Sequence, residues 1–169
     1  MLRSLFNHPR SLFLLIALIS LGTLVFAVLY LQNAIGLKPC SMCIVQRYAL
    51  IGVGLFCLLA ACCRRRGWRA VWGLPAIALA GFGAFTAARQ SWLQWRPPAF
   101  ATCGRDFYST IESFPLQRAI PMIFRGDGDC SAVDWTFLGG SIANWSFVWF
   151  ACAIVGILVL LLIRGRSRV

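Results

Sequence analysis

The chain has 169 residues, of which 60% are hydrophobic and only 12% charged, and its mean hydropathy is +0.77. Soluble domains carry about 45–50% apolar and ~25% charged residues, so the composition excludes an ordinary soluble domain and points to an integral membrane protein. The net charge of +11 does not indicate a nucleic-acid binder: the basic residues stand in short clusters at the ends of apolar runs, with no basic face and no aromatic RNA-binding motif.

Four apolar runs follow in chain order. Residues 11–31 and 142–163 carry no charge, 44–63 is apolar apart from Gln46 and Arg47 at its start, and 70–88 is again uncharged. Each is close to the ~20 residues that cross the hydrocarbon core as a helix. Lipid offers the backbone no hydrogen-bond partner, so each run has to satisfy its own polar groups as a helix. The predicted fold is an all-α four-transmembrane-helix bundle, a single domain over 1–169. The first run is long and closes on no small-x-small cleavage site, so it reads as a retained span and not a signal peptide.

Lys and Arg in short loops set orientation. Arg3 and Arg10, then Arg64, Arg65, Arg66 and Arg69, then Arg164, Arg166 and Arg168 fall on one side of such a bundle, with no acid among them. That side is expected to be cytoplasmic, with both termini. The opposite side receives a short loop at about 32–43 and a long one at about 89–141. All five acids, Asp106, Glu112, Asp127, Asp129 and Asp134, lie in the long loop. Residues 107–124 mix aromatic, aliphatic and charged side chains with Pro115 and Pro121, which suits short interfacial helical segments better than one long helix. Trp92, Trp95, Trp135 and Trp145 suit the outer membrane–water interface.

This topology sorts the eight cysteines. Cys57 and Cys152 lie at mid-membrane, where a thiol packs as a small hydrophobe. Cys62 and Cys63 lie at the cytoplasmic end of the second span. Cys40, Cys43, Cys103 and Cys130 lie outside, where disulfides persist. Three readings stay open for these four. Zinc usually takes two close pairs, and Cys103 and Cys130 are far apart. Structural disulfides are possible, but a bridge across Cys-x-x-Cys closes so short a loop that it restrains the unfolded chain little. Redox work is favoured locally. Cys43 is expected at the N-terminus of the second helix, where free N–H groups favour a thiolate. Arg47 stands four residues on, on the same helical face, with a fork of donors suited to an anion.

The arrangement of these motifs resembles the bacterial disulfide bond formation protein B (DsbB) family. The resemblance covers essentially the whole chain. It rests on the four-span topology, PCSMCIVQR (residues 39–47) in the first outer loop, FATC ending at Cys103, and GDCSAVDWTFLG (residues 128–139) before the last span. It implies a thiol:quinone oxidoreductase of the bacterial inner membrane, with its active cysteines in the periplasm. The family route runs from a soluble DsbA-type dithiol oxidase to a membrane quinone, with ubiquinone the first expectation and menaquinone the second. By resemblance, the partner's thiolate attacks Cys103, Cys130 is released and exchanges with Cys40, and Cys43 is left beside the quinone with Arg47. No metal is expected. Two positions depart from the family pattern: Gln46 stands where an acid often precedes the arginine, and Gln90, beside Arg89, stands where some members carry a histidine. The sole histidine, His8, lies on the other side. Gln90 is assigned here as a hydrogen-bond donor to the quinone. Two competing readings are a scaffold with stapling disulfides and an outward electron carrier using Cys57 and Cys152.

Overall fold

The computed structural model describes residues 9–37, 40–96, 133 and 135–163. Four helices in it are long and apolar enough to cross a membrane. Helix α1, Pro9–Val25, continues as a π-helical stretch over Phe26–Ala34. Helix α2 is Ser41–Cys62, α3 is Arg66–Trp95 and α4 is Ile142–Ile163. A minimal hairpin, β1 (Thr136–Phe137) with β2 (Gly140–Ser141), leads into α4.

Helix ends depart from the limits of the apolar runs for local reasons. Helix α2 starts at Ser41 because Cys40, in extended backbone, caps it: the Cys40 sulfur accepts the Cys43 N–H at 3.3 Å, and the Cys40 carbonyl accepts the Ile44 N–H at 3.1 Å. Helix α3 runs to Trp95, past the end of its apolar run at Ala88. Hydropathy reports the bilayer, not the helix, and nothing in Arg89–Trp95 breaks a helix. At about 1.5 Å per residue, its 30 residues span roughly 45 Å, well beyond the ~30 Å hydrocarbon core. The overhang places Gln90 and Gln94 on a rigid helix. Thr23, whose hydroxyl bonds the carbonyls of Ile19 and Ser20 at 2.9 Å each, stands just before α1 widens into its π-helical stretch. Back-bonding of this kind bends helices, and π segments cluster at functional sites.

Packing follows membrane rules. Lipid tails are as apolar as leucine, so helices associate where small residues let their backbones approach. Helix α3 presents such a stripe: Gly73, Ala76, Ala80, Gly83 and Ala87 are buried at spacings of three and four. A Cβ on Gly83 would overlap the Phe150 ring of α4. Phe13, Ile16 and Ala17 of α1, Ala49, Val53 and Cys57 of α2, and Ile157 of α4 complete the core. Large apolar side chains such as Leu18, Leu21, Leu55, Leu74, Val155 and Leu162 point outward, as a lipid-facing surface requires. Together these features make a multi-pass membrane protein.

Helix α1 packs on α2, α2 on α3 and α3 on α4, whereas α1 and α4 barely touch. At the cysteine end that gap is spanned by aromatic rings. Tyr30 stacks on Phe26 at 5.1 Å, Phe26 meets Trp135 at 6.2 Å, Trp135 stacks on Phe137 at 6.0 Å, and Phe137 meets Trp145 at 6.2 Å. Trp135 and Phe137 are two residues apart and so share one face of extended backbone. The hairpin turn puts Leu138 and Gly139 at φ of 51° and 79°, the pair of positive values that a two-residue type I′ turn needs.

Candidate functional site

The polar residues of α2 and α3 converge at that end of the bundle. The Cys40 and Cys43 sulfurs lie 2.7 Å apart. Cys40 is buried and Cys43 half-buried. Two features of the chain bring them together. The N-cap geometry turns Cys40 back over the first helical turn, and the three-residue spacing puts Cys43 directly above it. The Cys43 backbone N–H, one of the unsatisfied donors of a helix start, points at the Cys40 sulfur.

Opposite the sulfurs stands Gln90 of α3, only 4% exposed. Its Nε2 donates to Cys40 Sγ at 3.4 Å and to Cys43 Sγ at 3.3 Å. Its Oε1 accepts the Gln46 Nε2–H at 2.8 Å and lies 3.8 Å from Cys43 Sγ as an acceptor for a thiol proton. Gln46 is equally buried. Gln90 thus presents its amide nitrogen to the sulfurs while it lines the cavity beside them.

Arg47 projects from the other flank of α2 toward α1. Its Nη1 donates to Gln32 Oε1 at 2.7 Å and its Nη2 to the Ala27 carbonyl at 3.4 Å, both in the π-helical stretch. A guanidinium has five N–H donors, so donors remain for a ligand oxygen.

These groups share one cavity of about 650 Å³. Its polar end carries Cys40, Cys43, Gln46, Arg47 and Gln90. Its walls are Phe26, Tyr30 and Leu31 of the first helix, Leu50 of α2, Trp145, Trp149 and Phe150 of α4, and Trp135 and Phe137 of the hairpin segment. Small-molecule sites typically measure ~300–1,000 Å³, mostly apolar with a few convergent polar groups. At the hairpin side, Ser141 Oγ donates to Gln94 Oε1 at 2.6 Å and accepts the Asn144 N–H at 3.4 Å, while Trp145 Nε1 donates to the Phe137 carbonyl at 3.0 Å.

A family model described as Disulfide bond formation protein DsbB matches residues 9–160. The chain belongs to the DsbB family. Among its relatives, the Disulfide bond formation protein B of Acidovorax sp. (strain JS42) is 60% identical over 167 residues, covering 99% of this chain and 95% of the relative. That of Paracidovorax citrulli is 62% identical over 158 residues, covering 94% and 90%, and that of Polaromonas naphthalenivorans 56% over 168, covering 99% of each. Membership in the DsbB family carries an oxidoreductase role in disulfide formation.

Of the six residues that sequence reasoning singled out, the structure gathers Cys40, Cys43, Arg47 and Gln90 around one cavity. Cys103 and Cys130, with the segment expected to form interfacial helices, lie outside the described residues. Sequence reasoning left two residues without a role: Gln32, which anchors Arg47, and Gln46, which bonds Gln90. A signal was available for both. They are uncharged polar residues within or beside apolar runs, and a bilayer leaves such groups to find partners on neighbouring helices. Cys57, Cys62, Cys63 and Cys152 are free thiols away from the cavity, and Cys57 is fully buried in the apolar core.

Proposed function

We propose that the chain re-oxidises a periplasmic DsbA-type dithiol oxidase and passes the two electrons to a membrane quinone in the cavity beside Cys43. The observation that carries this reading is the juxtaposition of a Cys-x-x-Cys sulfur pair and a guanidinium on the polar end of an otherwise apolar cavity. The donor set fits a quinone. The aromatic and aliphatic walls suit its ring and prenyl tail, and Arg47, preset against Gln32 and Ala27, offers N–H donors to a carbonyl oxygen whose negative charge rises on reduction. When bound, the quinone supplies an acceptor for two electrons and two protons. Ubiquinone is the first candidate and menaquinone the second.

The protein's own residues do the rest. Oxidation of the Cys40 and Cys43 thiols to a disulfide releases two electrons and two protons, and their sulfurs are already adjacent. The start of α2 also points the Cys43 backbone N–H at the Cys40 sulfur. The aromatic chain from Tyr30 to Trp145 walls the cavity on the α1–α4 side. Cys103 and Cys130 are assigned to exchange with the soluble partner, Cys103 taking the attack and Cys130 passing oxidation on from Cys40. In this reading the chain is one domain in the bacterial inner membrane, with both termini cytoplasmic and all four of these cysteines periplasmic.

The test is an anaerobic assay of the purified chain with a reduced DsbA-type partner and a ubiquinone analogue, following quinone absorbance and partner thiols together. Two partner thiols are consumed per quinone reduced, and Cys43→Ser abolishes quinone reduction. Quinone reduction at full rate in Cys43→Ser overturns the assignment. Outer cysteines that stay oxidised against the reduced partner, with no quinone consumed, return the chain to a scaffold role.

A further inference from the structure

We propose that Gln46 is a positioning residue that fixes which end of the Gln90 side-chain amide faces the cysteine pair, and that the amide so held is the hydrogen-bond donor to the Cys43 thiolate. The inference rests on reading Cys40 and Cys43 as a redox pair, and it adds how an ionised sulfur is kept beside an apolar cavity.

The geometry runs from Gln46 outward. Its Nε2 donates to Gln90 Oε1 at 2.8 Å, so the oxygen of the Gln90 amide is spoken for. The Nε2 of Gln90 therefore faces the sulfurs, with its two N–H groups within reach of Cys40 at 3.4 Å and Cys43 at 3.3 Å. With Gln46 Nε2 facing it, a Gln90 amide turned the other way would set amine against amine at the Gln46 contact and present an oxygen to the sulfurs. Both glutamines are only 4% exposed, which leaves water little access to a missing partner, and buried amides take the arrangement that satisfies them.

The held orientation serves both protonation states of Cys43. As a thiolate, Cys43 accepts from Gln90 Nε2. As a thiol, it donates to the second lone pair of Gln90 Oε1 at 3.8 Å. Neither state requires the amide to turn. The Arg47 guanidinium donates to Gln32 and Ala27 on the first helix, while the Gln90 amide donates to the sulfurs.

The experiment reads Cys43 ionisation without quinone or partner. In the full-length reduced protein carrying Cys40→Ser, which keeps a good N-cap, the rate of iodoacetamide alkylation of Cys43 is followed by peptide mass spectrometry across pH. Gln90→Met lowers the rate at fixed neutral pH by roughly tenfold, the size of one lost hydrogen bond to a charged group, and the loss is recovered at higher pH. Damage to the fold would not be recovered by pH. Gln46→Met lowers the rate severalfold on its own and has no further effect on the Gln90→Met background. Gln46→Glu, which once ionised at the higher pH values can only accept and so turns the amide over, there lowers the rate more than Gln46→Met does, and most of that difference also disappears on the Gln90→Met background. Should single variants fold poorly, the double Gln46→Met/Gln90→Met variant buries no unpaired amide and supplies the baseline.

An unchanged rate in Gln46→Met, or a Gln46 effect of the same size with and without Gln90, overturns the positioning role. An unchanged rate in Gln90→Met overturns the donor role. Because no quinone is added, failure of quinone reduction with the alkylation pattern intact would strike the proposed function and leave this inference standing.

Discussion

Arg47 is tied to Gln32 by a 2.7 Å hydrogen bond from Nη1 to Oε1, across the interface of the second helix with the π-helical end of the first. The contact fixes a long, rotamer-rich side chain before any ligand arrives, so less entropy is lost on binding. Gln32→Leu is expected to raise the KM for quinone about tenfold with kcat little changed. That corresponds to about 1.4 kcal/mol, near the low end of the ~1.5–3 kcal/mol for a hydrogen bond to a charged group. Arg47→Lys loses the planar fork as well, so its KM rises further. Steady-state titration with a short-chain quinone checks both, and a Gln32→Leu enzyme with unchanged KM would separate the anchor from the site.

Trp135 holds the hairpin against the first helix through its contact with Phe26 and stacks on Phe137. Helices α1 and α4 make little contact of their own, so these rings close that side of the cavity. An aromatic pair contributes about 0.5–1.5 kcal/mol. Trp135→Ala is therefore expected to weaken quinone binding by up to about tenfold, read as a raised KM, while thermal stability in detergent changes little. A large fall in melting temperature with KM intact would make Trp135 a structural brace only.

The four spans and the Cys40–Cys43–Arg47 cluster are legible in the sequence because each rests on a local rule: apolar length for a bilayer, and side-chain spacing for one helical face. The pairing of Gln46 with Gln90 is not legible, since 44 positions separate them and only the register of α2 against α3 brings them together. The same holds for Gln32 and Arg47. By resemblance, Gln90 stands where some family members carry a histidine, which makes it a candidate donor to the quinone. The structure turns its amide toward the sulfurs because Gln46 occupies the other end. The π-helical stretch over Phe26–Ala34 has no signature in hydropathy, which is blind to whether the chain closes four- or five-residue hydrogen bonds.

Gly83 of α3 faces the Phe150 ring of α4, which lies where a Cβ would stand. Gly83→Ala gains helix propensity but forces the ring to move, and overpacking of this kind costs about 1–3 kcal/mol. The melting temperature is expected to fall, and quinone affinity with it, since Phe150 also lines the cavity. Phe150→Leu on the Gly83→Ala background relieves the overlap and should recover much of the lost stability. A Gly83→Ala protein as stable as the parent would mean that the helices have room to part.

Cys57 and Cys152 supply the last prediction, because an electron path through the membrane interior would need them. Cys57 lies 14 positions beyond Cys43 on the same helix, roughly 21 Å along its axis at about 1.5 Å per residue. Thiol exchange requires direct sulfur contact at about 2 Å, so Cys57 cannot take part in exchange with the Cys40–Cys43 pair. Its full burial among Phe13, Val53 and Ile157 is that of a small hydrophobe, and Cys152 is exposed on the outer face of α4. Cys57→Ala and Cys152→Ala are expected to leave the rate of quinone reduction within about twofold of the parent, with Cys57→Ala alone losing about 1 kcal/mol of stability to the space left behind. The anaerobic quinone assay and a thermal melt check the pair. A severe loss of quinone reduction in either variant, with the fold intact, would move the electron path off the Cys40–Cys43 pair and into the bundle.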